Sequence, residues 1–191
     1  MTGSKKGHAV EAARKLFDEN GFHNTGIDAV VTGAAVARMT LYKHFRSKDG
    51  LVQSTVIHHT DRFTAYLEEG MRSGSDAVEG IANAFVSWWH GQSPFGSYRG
   101  CYLTKALAEF SGISETIESA ARSGIEQYRE LCRRAARESG IADADGFGDA
   151  LFILVAGMSD VAMGIDPAQL EGTFRQSVAV MRRAYANDAA A

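Results

Sequence analysis

An all-α fold is predicted by three observations. Only two prolines, Pro94 and Pro167, occur in 191 residues. The good helix formers Ala, Glu, Arg and Leu are spread throughout. Apolar residues also return every third or fourth position in one segment after another. With 45% hydrophobic and 23% charged residues, the chain can fill a packed core, which excludes wholesale disorder. The breaks between helices fall mainly at glycines.

From Lys5 to Asn20, the residues Val10, Ala13, Leu16 and Phe17 form one stripe, and Gly21 ends it as a C-cap. Thr25 or Gly26 caps a short helix that carries Ile27, Val30 and Val31 to about Ala34, and a second short helix fits Arg38 to His44. Ser47 caps a longer helix with Asp49 in its first turn and Val52, Val56, Phe63 and Leu67 on its buried face. Asp76 to about Gly91 repeats Val78, Ile81, Phe85 and Trp89. A loop over Ser93 to Arg99 leads into a short helix from about Cys101 to Phe110. Ser114 opens a long helix whose stripe is Ile117, Ala121, Tyr128, Leu131 and Ala135, ending at Gly140. The Gly/Asp/Ala-rich stretch to Gly148 reads as a turn, and helices follow over roughly Asp149 to Met163 and Pro167 to Tyr185.

Two cysteines, Cys101 and Cys132, are too few for a disulfide framework and fit a reducing compartment. The longest apolar run, Ala150 to Met158, is far short of a membrane span, so a soluble cytoplasmic protein with no membrane partner is expected. The net charge of -3 hides a division. Residues 1–48 carry eight Lys and Arg against four Asp and Glu, a net +4, while the remaining 143 carry 12 against 19, a net -7. A basic N-terminal module on an acidic helical body suits a nucleic-acid reader with a separate control domain.

The two short helices between Ile27 and Phe45, joined by a tight turn, satisfy helix-turn-helix geometry, whose second helix enters the major groove of double-stranded DNA. Its side chains suit that task. Arg38 and Lys43 supply charged donors, Thr40 and Tyr42 hydroxyls, and Met39 an apolar contact for a thymine methyl, while Leu41 and Phe45 are spaced to face the core.

On Ala12-Ala13-Arg14-Lys15-Leu16-Phe17, Gly21-Phe22, Ile27-Asp28-Ala29-Val30, and above all Thr40-Leu41-Tyr42-Lys43-His44-Phe45 followed by Ser47-Lys48, the chain resembles the tetracycline-repressor (TetR) family of bacterial transcription regulators. The resemblance spans about the first 50 residues. It implies an N-terminal three-helix helix-turn-helix DNA-binding domain over residues 1–48 and a C-terminal helical ligand-binding and dimerisation domain over residues 49–191. It places Thr40, Tyr42, Lys43 and His44 on the recognition helix and Lys48 on a phosphate; Arg38 and Met39 join them from position alone. The family usually has Gly where this chain has Ala35, at a turn where a left-handed backbone costs a non-Gly residue roughly 1 kcal/mol. It commonly has Ser at Ala37, so the recognition helix here lacks a side-chain cap worth about 1 kcal/mol.

The function so implied is a homodimeric repressor of a palindromic operator, released by a small apolar or aromatic effector. Phe85, Trp89, Cys101, Phe110, Tyr128 and Met158 are the candidate effector lining. The final helices are expected to pair across a twofold axis through Leu170, Phe174, Val178 and Met181. Two rivals are a constitutive DNA-binding protein without effector and a small helical enzyme using Cys101 with His90 and Glu109. No catalytic site, metal site or cofactor is assigned. Adjacent residues on a helix point about 100° apart, so His58 and His59 would need distant partners to share an ion.

Overall fold

Residues 5–187 are described by a computed structural model, and they form nine helices with no strand among them. These are α1 (Lys5–Asn20), α2 (Ile27–Ala34), α3 (Arg38–Phe45), α4 (Lys48–Ser73), α5 (Ala77–Trp89), α6 (Tyr102–Phe110), α7 (Glu115–Glu138), α8 (Ala144–Val161) and α9 (Pro167–Asn187). They pack as two compact units, Met1–Arg62 with Cys101–Ile125 and Phe63–Gly100 with Glu126–Ala191. The helices α4 and α7 therefore each contribute residues to both units. No helix among the described residues is long and apolar enough to cross a membrane.

In the first unit, α1 buries Val10, Ala13 and Phe17 as its spacing predicts, and the chain then turns so that Phe22 is also fully buried. The Phe22 ring packs 5.4 Å from Phe17, 5.1 Å from Tyr102 and 5.6 Å from Phe110. Helix α6 fastens this turn with charge as well as with rings. Lys105 Nζ donates to Asp18 Oδ1 at 2.7 Å, and the Glu109 carboxylate accepts the backbone N–H groups of Phe22 at 3.0 Å and His23 at 2.8 Å. Phe110, an expected effector contact, is thus a core residue of this unit, buried against Phe22.

A polar cluster joins α1 to α4. Glu11 accepts from Arg14 Nη2 at 3.0 Å and from Arg62 Nη1 at 2.8 Å, with His58 Nε2 3.1 Å away. Burial would raise the Glu11 pKa, but the two guanidinium groups hold it down to about 2. His59, next to this cluster and 5% exposed, stacks 4.8 Å from Tyr102, whose hydroxyl donates to Thr55 Oγ1 at 2.9 Å. Burial, reinforced by Arg14 and Arg62, pulls the His59 pKa down to about 3. The adjacent histidines thus have separate structural partners.

In the second unit, Asp76 is the N-cap of α5, accepting from Glu79 N at 2.9 Å, and it also accepts from Arg182 of α9 at 2.6 Å. Phe63 sits among Phe85, Trp88, Phe95 and Tyr128, with ring centroids 4.5–6.0 Å away. Trp89 donates to Ser159 Oγ at 3.1 Å and packs edge-on against Phe174 at 5.0 Å. Asp149 receives a two-pronged contact from each of Arg129 and Arg133, at 2.6–2.8 Å. Those hydrogen bonds hold its carboxyl well below the usual carboxylate range.

The expected turn up to Gly148 is corrected here, because α8 already starts at Ala144. The Asp143 side chain accepts from Gly146 N at 3.0 Å and nucleates the helix. Gly148 then lies against α7 so closely that a Cβ there would meet Arg133 Cα at 2.4 Å, which requires glycine inside the helix. The expected pairing surface on α9 is corrected too. Leu170, Phe174 and Val178 are buried within their own unit, and Met181 is half-buried. The apolar residues left uncovered are instead Ile153 and Val161 on α8, Met163 and Ile165 beyond it, and Val180 on α9.

The depressed His59 pKa gives a pH dependence with a definite sign. Between the unfolded value near 6.5 and the folded value near 3, the unfolded chain binds the extra proton, so stability falls as pH falls through this window. The slope from this group approaches about 1.4 kcal/mol per pH unit. Urea unfolding at pH 7 and pH 5.5 is expected to show the loss in the wild type and a shallower one in His59→Phe. Equal pH slopes in the two proteins would remove His59 as the cause.

Candidate nucleic-acid interface

Helix α2 has Gly26 at its N-cap with no side-chain cap, Asp28 in its first turn and Val30 as its buried anchor. It ends on Ala35, which adopts φ 51° and ψ 41°, the left-handed conformation expected at this position. The turn closes through Val36 N to Val31 O and Ala35 N to Thr32 O, both at 3.2 Å, the pairing of a Schellman motif. Ala37 then stands extended at the N-cap of α3, again without a side-chain cap.

An eight-residue helix cannot hold itself together in water, so α3 depends on what it buries. Leu41 and Phe45, one turn apart, are 1% and 5% exposed. The remaining positions face outward as a result. Met39 is 81% exposed; Arg38, Tyr42, Lys43 and His44 are also exposed, and Thr40 is half-buried. Arg38 and Tyr42, and beside them Met39 and Lys43, form two rows at four-residue spacing. The face thus presents two strong cations, two hydroxyls, an imidazole and a thioether, which can engage phosphates, base edges and a thymine methyl. Arg38 Nη2 forms an ion pair with Asp28 Oδ1.

The junction with α4 is tight. Arg46 takes φ 63° and ψ -38°, and Ser47 N donates back to Phe45 O at 2.7 Å, a strained three-residue γ-turn. Ser47 Oγ caps α4 by accepting from Gly50 N at 3.0 Å. A Cβ at Gly50 would lie 2.2 Å from Phe45 O, so only glycine lets the helix start this close to α3. Lys48 Nζ donates to His23 O at 3.2 Å, which ties the start of α4 to the turn after α1.

Of the sequence-predicted DNA contacts, Arg38, Met39, Thr40, Tyr42, Lys43 and His44 share α3, and Lys48 opens the next helix. The predicted effector residues do not form one group: Cys101 and Phe110 belong to the first unit, and Phe85, Trp89, Tyr128 and Met158 to the second. Phe85, Trp89 and Tyr128 are buried in the second unit's aromatic core. Grooves of about 310 and 290 Å³ on that unit are lined instead by residues such as Tyr66, Gly70 and Ser87, and Asp76, Arg175 and Arg182. Glu109 and His90, imagined with Cys101 as catalytic, are occupied elsewhere: Glu109 holds the turn at Phe22, and His90 sits 3.1 Å from Glu171. Sequence reading missed Asp28, Arg46 and the holding role of Glu109. An acid in a helix's first turn is a visible signal for Asp28, but its partner ten residues later is not.

Residues 9–55 match the family profile described as "Bacterial regulatory proteins, tetR family". This N-terminal segment is similar to the TetR family. Over 81 residues the chain is 35% identical to the HTH-type transcriptional regulator UidR of Escherichia coli K12, covering 42% of the chain and 41% of UidR. It therefore spans about two fifths of that relative's length. In fold it resembles SCO4454, a TetR-family transcriptional regulator from Streptomyces coelicolor, with a TM-score of 0.82, 24% identity and 95% of each chain covered. It also resembles the TetR-family regulator CifR, solved as a cysteine mutant with a 26-base-pair double-strand operator DNA, with a TM-score of 0.70, 20% identity, and 93% and 97% coverage.

The left-handed Ala35 of the helix-turn-helix is open to a direct test. Ala35→Gly relieves a left-handed penalty of roughly 1–2 kcal/mol against an unfolded-state entropy cost of roughly 0.4–1 kcal/mol. The melting temperature is expected to rise by about 1–4 °C. A decrease would mean that Ala35 makes contacts a glycine cannot replace.

Proposed function

We propose that this chain is a TetR-family transcriptional regulator, homodimeric and ligand-responsive, that represses from a palindromic operator. The observation that carries the reading is the exposed Arg38, Met39, Tyr42 and Lys43 face of α3, held outward by the burial of Leu41 and Phe45. Residues 1–48 read the DNA. Arg38 and Lys43 address base edges, with Met39, Thr40, Tyr42 and His44 beside them, and Lys48 turns from His23 O to a phosphate. Residues 49–191 dimerise and sense. Two recognition helices spaced by about one helical turn of DNA require a second copy, and the exposed Ile153, Val161, Met163 and Val180 supply apolar surface for it.

The effector is a small apolar or aromatic molecule, admitted by rearrangement among Phe85, Trp89, Tyr128 and their neighbours in the second unit. Helix α4 runs without interruption from the first turn beyond the recognition helix into that unit and is the route for the response. For a hundredfold loss of operator affinity, the effector must favour the non-binding state by about 2.7 kcal/mol. The site is cytoplasmic, where the operator lies.

Enriching sequences from random duplex DNA tests the reading, followed by titration on enriched and random duplexes across a salt series. Lys48→Ala is expected to weaken binding to every duplex and to lower the salt slope by about one. Lys43→Ala is expected to relax preference at particular base pairs as well. Indistinguishable profiles for both variants on both duplexes would overturn the assignment of base reading to α3.

A further inference from the structure

We propose that Asp28 determines operator specificity: its carboxylate orients the Arg38 guanidinium toward a guanine and holds it off the phosphate backbone. The inference rests on the DNA-reading role proposed above and adds a residue to it.

Arg38 stands where a cation does nothing for its helix. It is the first residue of α3, beside unsatisfied backbone N–H groups and the positive end of the helix dipole, and Ala37 provides no cap. Asp28 stands in the first turn of α2, where the same field favours a carboxylate. The two meet as an ion pair between Arg38 Nη2 and Asp28 Oδ1. Their side chains are 54% and 79% exposed, so water screens the pair and folding gains little from it. Neither side chain belongs to the core that fixes α3, which consists of Leu41 and Phe45.

What the pair controls is the state of the arginine before DNA arrives. A free arginine samples many rotamers and binds any phosphate it reaches. With one guanidinium nitrogen engaged by Asp28, the plane of the group is set and its other N–H donors remain for a base edge. That planar fork matches the O6 and N7 acceptors of guanine in the major groove. The carboxylate also repels phosphates, so an Arg38 that rests on the backbone must do so against Asp28. Asp28 is therefore expected to weaken sequence-independent binding while sharpening choice at one base pair, two effects of opposite sign from one side chain.

The full chain is tested as wild type, Asp28→Ala, Asp28→Asn, Arg38→Ala and the Asp28→Ala/Arg38→Ala double variant, each checked by thermal melting. Affinities are measured on the enriched duplex, on its single-base-pair variants, and on random duplex across a salt series. Arg38→Ala is expected to abolish a guanine preference of roughly tenfold or more at one position. Asp28→Ala and Asp28→Asn are expected to flatten the same position, with the double variant adding nothing there. On random duplex, Asp28→Ala is expected to bind at least as tightly as the wild type, with a salt slope steeper by about one as Arg38 takes up a phosphate. Retention in both Asp28 variants of the preference that Arg38→Ala removes overturns the proposal. So does equal weakening on enriched and random duplexes by Asp28→Asn, which keeps the side chain's shape. An enriched sequence with no Arg38-dependent guanine overturns this inference alone, whereas a wild type that enriches no sequence overturns the operator reading beneath it.

Discussion

Leu41 and Phe45 are the only buried residues on α3, and the whole candidate interface depends on them. A helix of eight residues does not persist by its backbone hydrogen bonds, because nucleation costs more than so few bonds return. Burying a leucine and a phenylalanine contributes about 1.5–3 kcal/mol each, enough to hold two turns in place. The same burial sets the rotation of the helix about its axis. Once residues 41 and 45 point inward, Arg38, Met39, Tyr42 and Lys43 have no choice but to face water. The unfavourable features of this segment, a left-handed Ala35, an uncapped Ala37 and the strained Arg46, are tolerated because this anchor and Val30 hold both sides of the turn.

A second layer of constraint comes from far along the chain. Phe22 is buried among rings of α6, while Lys105 and Glu109 of the same helix bind the acidic end of α1 and the amides that follow it. Glu11, Arg14 and Arg62 join α1 to α4 through charges that are partly withdrawn from water. Such groups are costly to bury singly and tolerable only in company, so removing one member strands the others. The first unit is thus held by apolar contacts that give it cohesion and by paired charges that give it register.

The fold was largely legible because helices write themselves into sequence at a fixed period. Phe17, Val52, Ile81, Leu131 and Phe174 all lie on the buried faces their spacing indicates. The start of α8 was hidden because its first turns are rich in Gly, Asp and Ala, and only the Asp143 cap and the contact of Gly148 with Arg133 make them helical. The α3 face was legible for the same periodic reason and because its polar residue types are chemically pointed. The α9 stripe was correctly read as apolar but assigned to the wrong neighbour, since periodicity reports that a face is covered and not by what. Trp89, which packs on Phe174, lies too far away in sequence to be seen as that cover. Pairings such as Arg38 with Asp28, or Glu109 with the amides of Phe22 and His23, are tertiary facts with no sequence period behind them.

The inclusion of residues 101–125 in the first unit bears on how such a chain can be altered by recombination. A fragment ending midway through α4 would carry every side chain of the proposed DNA face. It would also leave Phe22 without Tyr102 and Phe110, and the amides of Phe22 and His23 without a carboxylate. The proposed DNA face is therefore not a cassette that can be cut out at a single point and joined to another body. Exchanging its specificity between relatives is easier by replacing the outward residues of α3 in place, leaving the inward ones and α6 as they are.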